Sequence, residues 1–237
     1  MPPIVIAHRT CPLDAPENSL RGIDACRSRG ADVAEIDVRL TSDGMPVLLH
    51  DRSLRRTTGV RRAVADTTHA ELRDLRLEGT EERIPTFAEV LGGLDDGLRI
   101  AIDVKDPAAA DAVLDEIADQ RAEAKVLFWA QSVGAVRRAV ERAPEIETAL
   151  LRDARHPGAI TGLLDDATAC GADAISAHWW SVGDRFAERA RERGLVLYAW
   201  CKSPRIDPAT LGRLDGVVTD WPEIARTLVG SAGPVPD

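Results

Sequence analysis

Long apolar runs are missing from this chain: none approaches the roughly 18 consecutive apolar residues of a bilayer-spanning helix. No basic region, apolar segment and cleavage site precede the first strand-like run, so no secretory leader is expected. The four cysteines, Cys11, Cys26, Cys170 and Cys201, show no Cys-x-x-Cys spacing. Scattered thiols suit a reducing cytoplasm, the expected location, with Cys26 and Cys170 read as helix core. Positive charge is in deficit. The formal net charge of −9 argues against a nucleic-acid groove or a general affinity for anionic membranes. A glycine-rich phosphate loop is also absent. His8-Arg9-Thr10-Cys11 follows the first strand-like run, which argues against a doubly wound dinucleotide-binding sheet.

The 237 residues are 44% apolar and 29% charged, enough for one full core under a soluble surface. Short β-branched runs alternate with amphipathic stretches of about a dozen residues. Strands are predicted at 4–8, 33–38, 98–104, 126–129, 148–151, 174–177, 195–200 and 217–220. Helices are predicted at 18–29, 107–121, 132–142, 158–170 and 182–193. Residues 46–50 also read as a strand, but only Thr41-Ser42-Asp43-Gly44 separates them from the previous one. So short a link makes an antiparallel hairpin, because a parallel partner needs a crossover of about a dozen residues or more. Setting it aside leaves eight parallel strands, which fits a closed (β/α)8 barrel of the usual ~250-residue size. The expected organisation is one barrel over residues 1–229 with a hairpin excursion after the second strand. Residues 230–237, rich in Gly and Pro, are expected to be a flexible tail. Residues 52–97, with a helical turn near 70–75 and a helix at 87–91, read as an elaborated connection over the mouth.

A barrel places its active site at the C-terminal ends of its strands, and the polar residues fall there. His8-Arg9 end the first strand, Glu35 and Asp37 lie near the end of the second, and Asp103 and Lys105 end the third. Tyr198 and Trp200 end the seventh, and Thr219-Asp220-Trp221 the eighth. Alternation turns Glu35 and Asp37 to one side, so Glu35, Asp37 and Asp103 should converge. Gathering acids raises each pKa unless a cation offsets them, and an all-oxygen set points to Ca2+ or Mg2+. Alone, each feature has a plainer explanation. A Glu-x-Asp is usually a solvated strand face, Arg9 can tie down Glu17, Asn18 or Ser19 can cap a helix, and Asp220 can orient a loop. All of them together at strand ends is a poor coincidence.

The order and spacing of several motifs resemble the glycerophosphodiester phosphodiesterases over essentially the whole chain. They are His8-Arg9, Pro16-Glu17-Asn18-Ser19, Glu35-Ile36-Asp37-Val38, Thr41-Ser42-Asp43-Gly44, His50-Asp51, Arg56-Thr57-Thr58-Gly59, Ile84-Pro85-Thr86 and Asp215-Gly216-Val217-Val218-Thr219-Asp220. The resemblance implies a phospholipase-C-like (β/α)8 barrel that hydrolyses glycerophosphodiesters to an alcohol and glycerol 3-phosphate with a divalent cation. It makes His8 and His50 the general acid–base pair and Glu35, Asp37 and Asp103 the metal carboxylates. Arg9 and Lys105 match the phosphate-binding cations, and Glu17 matches the acid of the family's Pro-Glu-Asn-Thr. Three places depart from the family pattern. Thr10 replaces the Gly of His-Arg-Gly, Asp103 replaces a Glu, and Trp200-Cys201-Lys202-Ser203 replaces Trp-Thr-Val-Asn.

Trp200 and Trp221 are expected at the mouth, against the glycerol, against the alcohol, or capping a choline ammonium by a cation–π contact; packing of the barrel end is an equal alternative. His178-Trp179-Trp180 reads as a surface loop anchored by tryptophan. The expected partner is a small glycerophosphodiester, with no nucleic acid and no stable membrane insertion, for a monomer or small homo-oligomer. Within enzymes the rivals are a lysophospholipase D or a phosphoinositide-specific phospholipase C. The largely polar segment 52–97 favours a soluble head group over a long chain. The rival outside enzymes is a non-catalytic barrel that binds phosphodiesters; loss of a histidine or metal carboxylate would signal it, and none is lost.

Overall fold

The computed structural model describes residues 2–231. Nine strands follow in chain order: β1 Ile4–Ala7, β2 Val33–Leu40, β3 Pro46–Leu48, β4 Arg99–Val104, β5 Val126–Ala130, β6 Glu147–Arg152, β7 Ala174–His178, β8 Val196–Cys201 and β9 Gly216–Thr219. The helices are α1 Leu20–Ser28, α2 Arg55–Thr58, α3 His69–Leu72, α4 Phe87–Gly92, α5 Ala110–Gln120, α6 Val133–Arg142, α7 Pro157–Cys170, α8 Asp184–Glu192, α9 Pro208–Leu211 and α10 Pro222–Ser231. Pairing runs parallel from β2 through β4, β5, β6, β7, β8 and β9 to β1, and β1 pairs with β2 to close the ring. The expected eight-stranded barrel is present. β3 lies outside the ring, antiparallel to β2, with Val38 opposite Leu48 and Leu40 opposite Pro46.

The alternation of each strand sorts its side chains into two cores. One face packs under the helices and includes Val5, Ile36, Ile102, Phe128, Leu150, Ile175 and Val217. The other fills the barrel and includes Ile6, Val33, Ala101, Leu127, Ala149, Ala174 and Val218. Residues of this inward parity further along the strands reach the C-terminal mouth, so Glu35, Asp37 and Asp103 stand above an apolar plug. Tyr198, expected at the mouth, belongs to the plug instead. It is buried against Trp129, and its hydroxyl donates to Glu147 at 2.6 Å, at the start of β6. Residues 47–84 carry a small apolar core of their own that includes Val47, Leu54, Leu72 and Ile84. No helix among the described residues is long and apolar enough to cross a membrane. The tail predicted at 230–237 begins inside α10; residues 232–237 lie outside the described residues.

The turn after β1 is built from an unusual backbone. Arg9, Thr10 and Cys11 have φ of 45°, 59° and 58°, and a left-handed turn costs about 1–2 kcal/mol per non-glycine residue. Two side chains and one backbone bond hold it in place. Arg9 N–H donates to Glu35 Oε2 at 2.7 Å, Asn18 N–H donates to Arg9 O at 3.0 Å, and Ser19 N–H donates to Thr10 Oγ1 at 3.2 Å. Thr10, the replacement for the family's Gly, is fully buried and faces α1, away from the mouth. It sits so close that a methyl group at Gly22 would overlap its carbonyl oxygen and hydroxyl. Gly22→Ala is therefore expected to destabilise the protein by about 1–3 kcal/mol, the usual cost of overpacking. An unchanged melting temperature would show that the turn yields instead.

Candidate active site

One cavity of about 180 Å³ opens at the C-terminal end of the barrel, lined by His8, Arg9, Glu35, His50, Asp103, Lys105, Trp129, Gln131, Ser176, Trp200 and Lys202 among others. The strand register explains the acid cluster. Asp37 lies opposite Asp103 on β2 and β4, and Glu35 is two residues earlier on the same face. Oxygens of the three carboxylates all lie within 4.8 Å of one another, close enough to share one metal ion. All three residues are buried.

The charges in this cluster are balanced unevenly. Lys105 Nζ pairs with Asp37 Oδ1 at 2.7 Å and also contacts Asp103, while Arg9 Nε stands 3.4 Å from Asp37 Oδ2. Burial works against the charged form of Asp37, but Lys105, Arg9 and His50 outweigh it and hold the carboxyl below the ordinary range. Asn18 steadies the same residue: its Nδ2 donates to Asp37 Oδ2 at 2.8 Å, and its Oδ1 accepts from Asp37 N–H at 2.9 Å. Glu35 has no such side-chain partner. Burial, reinforced by the charge of Asp37, raises its pKa, and burial raises that of Asp103 as well. Asp103 Oδ1 is buried without a hydrogen-bond partner.

The two histidines are mounted alike. His8 Nδ1 is 2.6 Å from Asp220 Oδ1, and His50 Nδ1 is 2.7 Å from Asp51 Oδ1. A carboxylate on Nδ1 fixes the ring and its tautomer, leaving Nε2 for chemistry. Burial pulls both pKa values below the usual histidine value, against the pull of Asp220 on His8 and of Asp37 and Asp51 on His50. Asp51 is itself held by Arg56, whose Nε donates to Asp51 Oδ2 at 2.7 Å. The same guanidinium grips Glu17 with two bonds of 2.8 and 2.7 Å. Glu17 therefore steadies the mounting of His50 and does not line the cavity. Trp221 does not line it either.

Eight of the ten residues singled out in the sequence gather here: Asp37 at the cavity's edge through Lys105 and Asp103, the other seven on its wall. Others were passed over. Trp129 Nε1 and Ser176 Oγ are buried in the wall with no hydrogen-bond partner, and Lys202 adds a third cation. Trp129 and Ser176 share the inward parity of Asp103, since Trp129 lies opposite it on β5. Alternation was the available signal.

Comparison with known proteins gives a consistent result. The family model described as the Glycerophosphoryl diester phosphodiesterase family matches residues 8–224. A glycerophosphodiester phosphodiesterase of Caldanaerobacter subterraneus subsp. tengcongensis is 28% identical over 98% of this chain and 100% of its own length. The crystal structure of a glycerophosphodiester phosphodiesterase from Thermotoga maritima superposes with a TM-score of 0.79 at 26% identity, covering 95% of this chain and 98% of that one. An Oleispira antarctica phosphodiesterase, solved in complex with the product sn-glycerol-3-phosphate, has the same fold, with a TM-score of 0.83 at 23% identity over 97% of this chain and 98% of that one.

Proposed function

The chain belongs to the glycerophosphoryl diester phosphodiesterase family, and from that premise we propose that it hydrolyses glycerophosphodiesters to an alcohol and sn-glycerol 3-phosphate with the help of a divalent cation. The observation that carries this reading is the meeting, around one cavity, of two aspartate-backed histidines, a carboxylate triad and two cations. A non-catalytic binding barrel would have no use for so costly a buried arrangement.

Glu35, Asp37 and Asp103 would hold the cation. The partnerless Asp103 Oδ1 and the all-oxygen donor set fit Ca2+ or Mg2+. When bound, such a cation neutralises phosphate charge and acidifies a nearby hydroxyl. Arg9 and Lys105 face the phosphate. Arg9 is held only loosely by Glu17, at 3.4 Å, and so keeps donors free for a planar two-point grip. One imidazole accepts the proton of the attacking hydroxyl as its oxygen bonds to phosphorus. The P–O bond to the leaving alcohol breaks, and the other imidazole hands its proton to that oxygen. The hydroxyl is that of water, or the glycerol 2-hydroxyl, in which case water then opens the cyclic phosphate. Burial favours the neutral form of both resting imidazoles; the anionic substrate itself favours protonation of the one that acts as acid.

The test is release of glycerol 3-phosphate from glycerophosphocholine and glycerophosphoglycerol, after EDTA and then with added Ca2+ or Mg2+. Release restored by metal is expected. Silence under every metal, with diesters of anionic alcohols silent too, would reject this reading and direct attention to a lipid-linked diester.

A further inference from the structure

Lys202 is the residue that most distinguishes this mouth, standing where the family pattern has a valine. It lines the catalytic cavity and also an adjoining hollow of about 120 Å³ bounded by His178, Trp180, Trp200, Ser203 and Arg205. Trp200 forms the shared wall. A group leaving the phosphate on this side would enter the hollow directly.

The charge of the hollow is one-sided. No carboxylate lines it. Among the described residues, neither the Lys202 ammonium nor the Arg205 guanidinium has an ion-pair partner or a side-chain hydrogen bond. Asp153, the acid that acts on His178, is already paired with Arg155 at 2.7 Å. Burial, and then the charge of Arg9, lowers the Lys202 pKa against the pull of Asp220, Glu35 and Asp37, none of which forms an ion pair with the ammonium among the described residues. The tryptophans supply flat apolar faces: Trp180 is 82% exposed, and Trp200 meets His178 edge-on at 5.9 Å. A quaternary ammonium could use those faces. Two unpaired cations at the same rim repel it, however, and Coulomb repulsion between full charges reaches further than a cation–π contact.

We propose that Lys202 and Arg205 bind a second negative charge on the leaving alcohol, so that the preferred diesters carry a carboxylate- or phosphate-bearing head group and choline diesters are poor substrates. This inference rests on the hydrolase reading above and adds the substrate class to it. Trp180 and Trp200 would cover the carbon skeleton of the head group, and the two cations would read its charge.

The experiment is a charge series of similar size: sn-glycerol 3-phosphate diesters of choline, glycerol, glyceric acid and glycerol phosphate, assayed by glycerol 3-phosphate release with metal present. The expected order of kcat/KM rises from choline through glycerol to the two anionic heads, with a spread of at least about tenfold that shrinks as salt screens the cations. The glyceric acid and glycerol phosphate arms tell a carboxylate from a phosphate preference. Lys202→Met and Arg205→Gln are each expected to narrow the anionic-to-choline ratio, and Lys202→Glu to reverse it. Circular dichroism checks that each variant folds. Turnover of the series with choline equal or best, or a ratio untouched in the Lys202→Met/Arg205→Gln double variant, would overturn this inference and leave the hydrolase reading standing. Failure of all four diesters under every metal would remove both.

Discussion

Alanine at His8, or at His50, is expected to lower kcat by about 10² to 10⁴, the usual worth of a positioned acid or base. Each ring lines the cavity, and each has its Nδ1 committed to a carboxylate, at 2.6 Å for His8 and 2.7 Å for His50. The free nitrogen is then the only one available for proton transfer. Both side chains lie at the barrel rim, outside the apolar plug, so the fold should survive; circular dichroism and melting check this. Asp220→Asn separates chemistry from packing. The amide keeps the shape of the carboxylate but no longer stabilises an imidazolium, so the His8 pKa should fall further. The sign follows from the present balance, in which burial lowers that pKa and Asp220 raises it. The limb of the pH–rate profile that belongs to His8 should therefore move to lower pH in Asp220→Asn and disappear in His8→Ala. Near-normal turnover in either alanine variant, with the profile unmoved, would remove the histidines from the mechanism.

The parts of this architecture that repeat were legible before the structure. Strand–helix alternation gave the ring, and the four-residue link at 41–44 gave the antiparallel β3 on its outside. Period-two alternation was enough to bring Glu35, Asp37 and Asp103 to one place. What stayed hidden depends on contacts between distant, irregular segments. Asn18 could be read as a helix cap, yet Ser19 caps α1 while Asn18, at φ 58°, turns back to bind Asp37. Glu17 matched a motif but gave no hint that Arg56, thirty-nine residues on, would tie it to the mounting of His50. The plain reading of Asp220 as a residue that orients something was right, and the thing oriented is His8. Tyr198 was misplaced because counting along a strand gives its face and not its depth, and β8 extends to Cys201.

Glu35→Gln should make the metal-free protein more stable while abolishing its activity. In this buried triad, Lys105 and Arg9 serve Asp37, and Lys105 serves Asp103 too. Glu35 has only the backbone N–H of Arg9, at 2.7 Å. Burial and the neighbouring Asp37 push its pKa up to about 8 from an ordinary 4.5. Its folded pKa thus lies above the unfolded one. Between those two values the unfolded chain has already lost the proton that the folded protein keeps, so metal-free stability should fall as pH rises through that window. Glutamine still accepts from Arg9 N–H but cannot ionise. The variant should therefore match the wild type near pH 4 and exceed it near pH 8, by an amount on the order of 1–3 kcal/mol. Adding Ca2+ or Mg2+ should reverse the ranking. A ligand that binds only the folded state at 100 times its Kd adds about 2.7 kcal/mol, and the wild type alone keeps the full carboxylate set to receive it. Melting curves at several pH values, with EDTA and with metal, read both effects. A metal-free variant that melts below the wild type at pH 8, or a wild type indifferent to metal, would mean that the triad is structural. The expected result would instead mark Glu35 as a residue that weakens the empty fold and is kept for what it binds.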